Sequence, residues 1–139
     1  MESHNRDLAV QWFEEIWNRR NDSAIDELMA ADAVGHMEGA DVVGPAGFRA
    51  SRDALLAAIP DVHIEIEDVV AEGDRAVVRW RVRGTHQGEG LGIAPTQAKI
   101  DRRGMSWFLI REGKMAEGWD SWNLGGLLES LRTHQAAMA

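Results

Sequence analysis

Neither cysteine nor tyrosine occurs in this chain of 139 residues, and each absence removes a class of chemistry. Without cysteine there is no disulfide, no thiolate nucleophile and no zinc site with sulfur ligands, so packing alone must hold the fold. Without tyrosine there is no phenol to act as an acid or to donate to an oxyanion. A basic patch is missing too. The formal charge is -8 at pH 7, with the acids scattered along the chain, which argues against a nucleic-acid partner because tracking phosphates needs clustered Lys and Arg. No segment reaches the apolar length of a membrane span, and the polar start MESHNRDLAV lacks the apolar core of a signal peptide. The expected setting is the cytoplasm, with neither membrane nor nucleic acid as partner.

What the chain does have is enough apolar material, 45% of its residues, to bury one compact core, and no repeat or linker divides it. A single domain over residues 1–139 is expected. From Asp7 to Arg19, residues Leu8, Trp12, Phe13, Ile16 and Trp17 recur at helical spacing, with Glu14, Glu15 and Arg19 on the other side. Asn21-Asp22-Ser23 carries cap chemistry for a second helix over Ala24 to Ala30. A brief extended segment, Ala31 to Met37, follows. Gly44-Pro45 then opens a third helix whose inner stripe is Phe48, Arg52, Leu55, Leu56 and Ile59, stopped by Pro60.

Beyond Pro60 the period drops to two, and the remainder reads as a meander of antiparallel strands closed by a helix over Leu124 to Gln135. Val62, Ile64 and Ile66 oppose His63, Glu65 and Glu67. Ala76, Val78, Trp80 and Val82 oppose Val77, Arg79, Arg81 and Arg83. Gln87 to Ala98, with Gly88, Gly90 and Gly92, has no strand-to-helix context for a phosphate loop and reads as a flexible connection, a candidate lid. The strand Ile100 to Ile110 is apolar on both faces: Met105, Trp107 and Leu109 on one, Phe108 and Ile110 on the other. One helix layer covers only one sheet face, so a partner subunit is expected on the second. The architecture is α+β: a curved antiparallel sheet forming a cone, three N-terminal helices packed on its concave face, and the other face free to pair with a second copy.

The stretch MAEGWDSWN, Met115 to Asn123, carries the chemistry. On a strand, Gly118, Asp120 and Trp122 share one face. A carboxylate shielded by an indole, with no cation near it in the strand, is harder to ionise, and its pKa rises toward the range useful to a proton carrier. Asp120 is therefore the first catalytic candidate; the alternative is an aspartate that bonds a turn or a backbone amide. Trp12, Trp17, Trp80 and Trp122 are candidate walls for flat rings, or plain core. His36 is a candidate to orient a substrate or exchange protons, or a hydrogen-bonded histidine of no catalytic consequence. Asn18 and His86 are candidate donors to an enolate, with a local hydrogen-bonding role for Asn18 as the alternative. Arg52 is a candidate pocket cation, unless its stem carries the charge to the rim. The histidines stand on separate elements and no two residues show metal-ligand spacing, so neither metal nor cofactor is expected.

In this order and spacing, IWNRRN at Ile16 to Asn21, the segment Ile59 to Glu89, APT at Ala94 to Thr96 and REGKMAEGWDSWNLGGLL at Arg111 to Leu128 give a chain that resembles the SnoaL-like polyketide cyclases of the nuclear transport factor 2-like superfamily. The resemblance covers nearly the whole chain. It implies a cone-shaped, cystatin-like α+β barrel, usually dimeric, around an apolar cavity, and ring closure by intramolecular aldol condensation without metal or cofactor. Asp120 matches the acid/base aspartate of that family. Many members carry a histidine two residues earlier, where this chain has Gly118. The oxyanion-hole tyrosine of ketosteroid isomerases in the same superfamily has no counterpart. Epoxide hydrolysis there uses two aspartates bridged by an arginine; Asp120 and Arg52 supply part of that set, and no second inward aspartate stands out. The expected function is thus a cofactor-independent cyclase, or related carbon-acid enzyme, acting on an apolar aromatic or polyketide-like molecule. The alternative is a non-catalytic carrier using the same cavity.

Overall fold

The computed structural model describes residues 2–138. Helix α1 (Glu2–Gln11) continues into a π-helical segment, Trp12–Asn18, and is followed by α2 (Ser23–Leu28), β1 (Met29–Met37), β2 (Ala40–Val43) and α3 (Gly44–Ala58). Strands β3 (His63–Glu72), β4 (Arg75–Thr85), β5 (Lys99–Arg111) and β6 (Lys114–Trp122) then lead to α4 (Leu124–Met138). The six strands form one sheet in the order β2-β1-β6-β5-β4-β3. Every neighbouring pair is antiparallel except β1 with β6, which run parallel. Among the described residues no helix is long and apolar enough to cross a membrane.

The first helix is the element whose local geometry differs most from a plain 3.6-residue repeat. The Arg19 amide bonds Glu14 O at 2.9 Å and the Asn21 amide bonds Glu15 O at 2.8 Å, spans wider than the i→i+4 of an α-helix. Trp12, Phe13, Ile16 and Trp17 are all buried on the sheet. At the end of this segment the Asn18 amide acts as a short piece of strand: its Nδ2 donates to Ile64 O and its Oδ1 accepts from Ile64 N, both at 2.8 Å. That satisfies backbone groups on β3, the edge strand.

The second helix is shorter than its apolar pattern suggests, because Met29 already pairs with Met115 as the first rung between β1 and β6. Asp22 stands at its N-cap, but its side chain makes no capping hydrogen bond. Its carboxylate binds Arg49 at 3.0 Å and Arg52 at 2.6 Å instead. On β4 the alternation holds, with Ala76, Val78, Trp80 and Val82 all buried. On β3 a bulge between Ile66 and Asp68 changes the parity, so that Val69 is buried and Val70 exposed.

The glycine-rich connection after β4 is fastened to α3 rather than flexible. The amides of Gln87 and Gly88 donate to Ala58 O at 3.0 and 3.1 Å. A Cβ at Gly88 would lie 1.9 Å from Ala57 O, and one at Gly90 2.1 Å from Ala54 O. These glycines let two backbones touch, and the buried Ile93 and Thr96 anchor the remainder.

The outer sheet face presents one row in register across five strands: Val70, Val77, Trp107, Trp119 and His36. Trp107 is 46% exposed and Trp119 40%. The inner face carries the core.

Candidate active site

Asp120 lies on the inner face of β6, in register with Ser106 on β5. The buried Ser106 Oγ donates to Asp120 Oδ1 at 2.6 Å, and the Trp80 indole N–H donates to that same Oγ at 3.0 Å. A chain of three side chains thus ends on the carboxylate. Burial pushes the Asp120 pKa up to about 6; the Ser106 hydrogen bond acts against this, and the charge of Glu38 adds to it.

The space in front of the acid is a cavity of about 80 Å³ lined by four indoles, Trp12, Trp17, Trp80 and Trp122, with Phe48 and Leu127 among its other walls. No Arg, Lys or His side chain lines it. A second space of about 180 Å³ shares the walls Trp17, Met37, Leu55 and Trp122 and adds Glu38, Ser51 and Leu91. The sequence explains how two large rings meet over the acid. Trp80 on β4 and Trp122 on β6 both face Gly104 of β5 in register. Any Cβ there would come within 2.6 Å of the Trp80 ring. Glycine leaves room for the indoles to meet edge to face, 6.1 Å apart at 67°.

Gly118, two residues before Asp120, has Phe108 across the strand pair. A Cβ added to it would meet the Phe108 ring at 3.6 Å, an ordinary contact. That ring packs on Trp12 at 5.8 Å and Phe13 at 6.1 Å.

The structure brings together Asp120, Trp12, Trp17, Trp80 and Trp122 and sends the other candidates elsewhere. His36 is on the outer face, in register with Trp119 and stacked on it at 5.3 Å. It borders a gap of about 20 Å³ that also touches Asp120. Its Nε2 meets Glu117 at 2.6 Å and its Nδ1 meets Asp41 at 3.0 Å, and these two carboxylates raise its pKa. Asn18 spends its amide on β3. Arg52 is buried, but its guanidinium turns to Asp22 and Asp53, at 2.6 and 2.9 Å, instead of the cavity. His86 is fully buried beneath the glycine-rich connection, where Thr96 N donates to its Nδ1 at 3.3 Å. It lines none of the spaces around Asp120.

Two site residues escape a reading by pattern. Ser106 had a signal: it is the lone hydroxyl on the parity of Phe108 and Ile110, a buried strand face. Glu38 had none. It sits in the turn between β1 and β2, and only the parallel pairing of β1 with β6 brings it to Trp122, whose amide donates to its Oε1 at 3.0 Å. Among the described residues no group of three or more His, Asp or Glu side chains is placed to hold a metal ion.

Solved structures repeat this architecture closely. A candidate SnoaL-like polyketide cyclase from Jannaschia sp. CCS1 superposes with a TM-score of 0.87 at 22% identity, over 94% of this chain and 92% of that one. AclR, a candidate hydroxylase from Streptomyces galilaeus, matches at 0.82 and 29% identity over 96% and 98%. IdmH, a candidate polyketide cyclase from Streptomyces antibioticus, matches at 0.79 and 25% over 91% and 97%. A comparison with curated proteins finds no match. Residues 7–131 match the SnoaL-like polyketide cyclase family, a span that holds all six strands and every residue placed around Asp120, and the chain belongs to that family.

Proposed function

We propose that the chain is a cyclase-type enzyme that closes a ring by intramolecular aldol addition, or by related carbon-acid chemistry, on an apolar aromatic or polyketide-like molecule. The observation that carries this reading is Asp120: a carboxylic acid with a pKa of about 6 facing a cavity walled by indoles and lined by no cation. Such an acid exchanges protons near neutrality. The Asp120 carboxylate takes a proton from a carbon flanked by carbonyls, and the enolate carbon forms a bond to a second carbonyl carbon of the same molecule. The alkoxide so formed takes the proton back from Asp120. The step conserves oxidation state and mass, so it calls for no redox partner. Aspartate is a weak base, and the substrate's conjugated carbonyls do most of the acidifying.

Flat rings suit the walls because indoles supply large stacking faces and little else. The inner cavity is small for a multi-ring ligand, and the adjoining space that shares Trp17 and Trp122 supplies the remaining room. The exposed row through Trp107 and Trp119 supports a second proposal, that two copies pair through the outer sheet face.

The test is to incubate the protein with poly-β-carbonyl aromatic ketones and follow the products by mass spectrometry. The expected product has the mass of the substrate, or that mass less water, and the D120N variant does not form it. A variant that turns over normally would overturn the assignment of the base. Tight binding with no product from any member of the panel would favour the carrier reading, and a product heavier by one oxygen would place the chain nearer to AclR in chemistry.

A further inference from the structure

We infer that Ser106, aligned by the Trp80 indole, is the positioning residue of Asp120: it holds Oδ1 as an acceptor and leaves Oδ2 as the oxygen that carries the transferable proton. The inference deepens the reading of Asp120 as the base, but its test needs no turnover.

An indole N–H can only donate, whereas a hydroxyl has one hydrogen to give and lone pairs to accept with. At 3.0 Å from Trp80 Nε1, the Ser106 oxygen accepts, and its own hydrogen is free to point to Asp120 Oδ1 at 2.6 Å. The polarity of the chain therefore runs one way, from Trp80 through Ser106 to the acid. With the hydroxyl so directed, Oδ1 receives a hydrogen, and a proton bound by Asp120 goes on Oδ2. The indole polarises the hydroxyl and strengthens the second hydrogen bond.

Register supports the same assignment. Ser106 lies opposite Asp120 on one side and Val78 on the other, at the centre of the sheet, and is 1% exposed. A buried hydroxyl costs stability unless it is bonded, and an apolar residue in this row would pack against Val78 without that cost. The groups that face Asp120 from the other elements leave Ser106 as its hydrogen-bond donor. The residues of the π-helical segment, α3 and α4 around the cavity are apolar or indole, and among the described residues Ser106 is the side chain that donates to Asp120. Glu38 is an acid, and His36 on β1 gives its nitrogens to Glu117 and Asp41.

The test is to titrate the Asp120 carboxyl by carbon NMR in protein labelled at the aspartate side chain, with D120N identifying the resonance. S106A is expected to raise the midpoint by roughly one to two pH units, the worth of a hydrogen bond to a charged acceptor. W80F should raise it less and in the same direction, and S106T, which keeps the hydroxyl, should restore it. An S106A midpoint equal to that of the unmodified chain overturns the inference, as does a W80F shift toward lower pH. If S106A does not fold, W80F decides alone, and an unchanged midpoint then overturns it. These outcomes are independent of catalysis: D120N that retains turnover removes the proposed base and leaves the titration result standing.

Discussion

Trp119 and Asp120 are adjacent in the chain, and the pleat of β6 sends them to opposite sides of the sheet. The outer side sets a histidine between two carboxylates on top of an indole, and the inner side sets a carboxylate among indoles with a serine. Both titratable groups, His36 and Asp120, have raised pKa values, for opposite reasons. His36 is raised because Glu117 and Asp41 favour its charged form. Asp120 is raised because burial disfavours its charged form. The outer cluster becomes more charged than a free side chain would be at neutral pH, and the inner one less. The same residue types perform opposite electrostatic work according to which face of one strand they occupy.

The largest effect is expected from D120N. Removing the base should lower turnover of a true substrate by about 10²- to 10⁴-fold while folding persists. Stability should rise with a definite pH dependence. The folded pKa of about 6 lies above the ordinary aspartate value of 3.8, so the stabilising effect of protonated Asp120 is complete below pH 4 and is lost as pH rises through 6. The ionised form then costs at most about 3 kcal/mol, less what residual exposure relieves. The gain in melting temperature of D120N over the unmodified chain should therefore be larger at pH 8 than at pH 4. A loss of stability at both would mean that Asp120 is a structural acceptor.

Next in size is G104A, which acts on the inner side alone. Its methyl group falls where the Trp80 ring and Trp122 Cβ stand, 2.6 and 2.7 Å away. The overpacking should cost about 1–3 kcal/mol and change the near-ultraviolet dichroism of the indole pair. An unaltered spectrum with an unaltered melting temperature would show that the pair yields freely. On the outer side, the proposed dimer should sediment at twice the chain mass, and replacing Trp107 and Trp119 together by Ser should convert it to a folded monomer, each ring contributing about 2 kcal/mol if it is a centre of the contact. A double variant that still sediments as the dimer would place the interface elsewhere.

The smallest effect is expected from H36Q, which removes the titrating group of the outer cluster. The folded pKa of His36 lies above 6.5. Its contribution is therefore complete below pH 6.5 and is lost as pH rises through the folded value. The unmodified chain should exceed H36Q in melting temperature at pH 6, and the two should converge once pH has risen past the folded value. A constant difference across that range would show that Glu117 and Asp41 do not act through the charge.

Alternation along β4 placed Trp80 inward, alternation along β5 separated Trp107 from Phe108, and the acid among indoles near the C-terminus marked Asp120. These are properties of one strand at a time, because a period of two is written in local order. The same reading could not see that His36 faces outward, that Arg52 turns to Asp22 and Asp53, or that Asn18 closes the edge of β3. Each of those depends on which residue a different element brings alongside. The glycines of the connection after β4 look like flexibility on paper. Against Ala54 and Ala57 they are points of backbone contact.

What the chain determined by itself is therefore most of the elements, β2 (Ala40–Val43) excepted, the faces of β4 and β5, and the candidate acid, since propensity and periodicity act over a few residues. Tertiary structure alone decided the environment of that acid. Ser106 reaches Asp120 through the β5–β6 register, Trp80 reaches Ser106 from the neighbouring strand, and Glu38 arrives because β1 lies parallel to β6. The pKa of a side chain depends on desolvation and on charges a few ångströms away, and those distances join residues as far apart in the chain as Glu38 and Asp120.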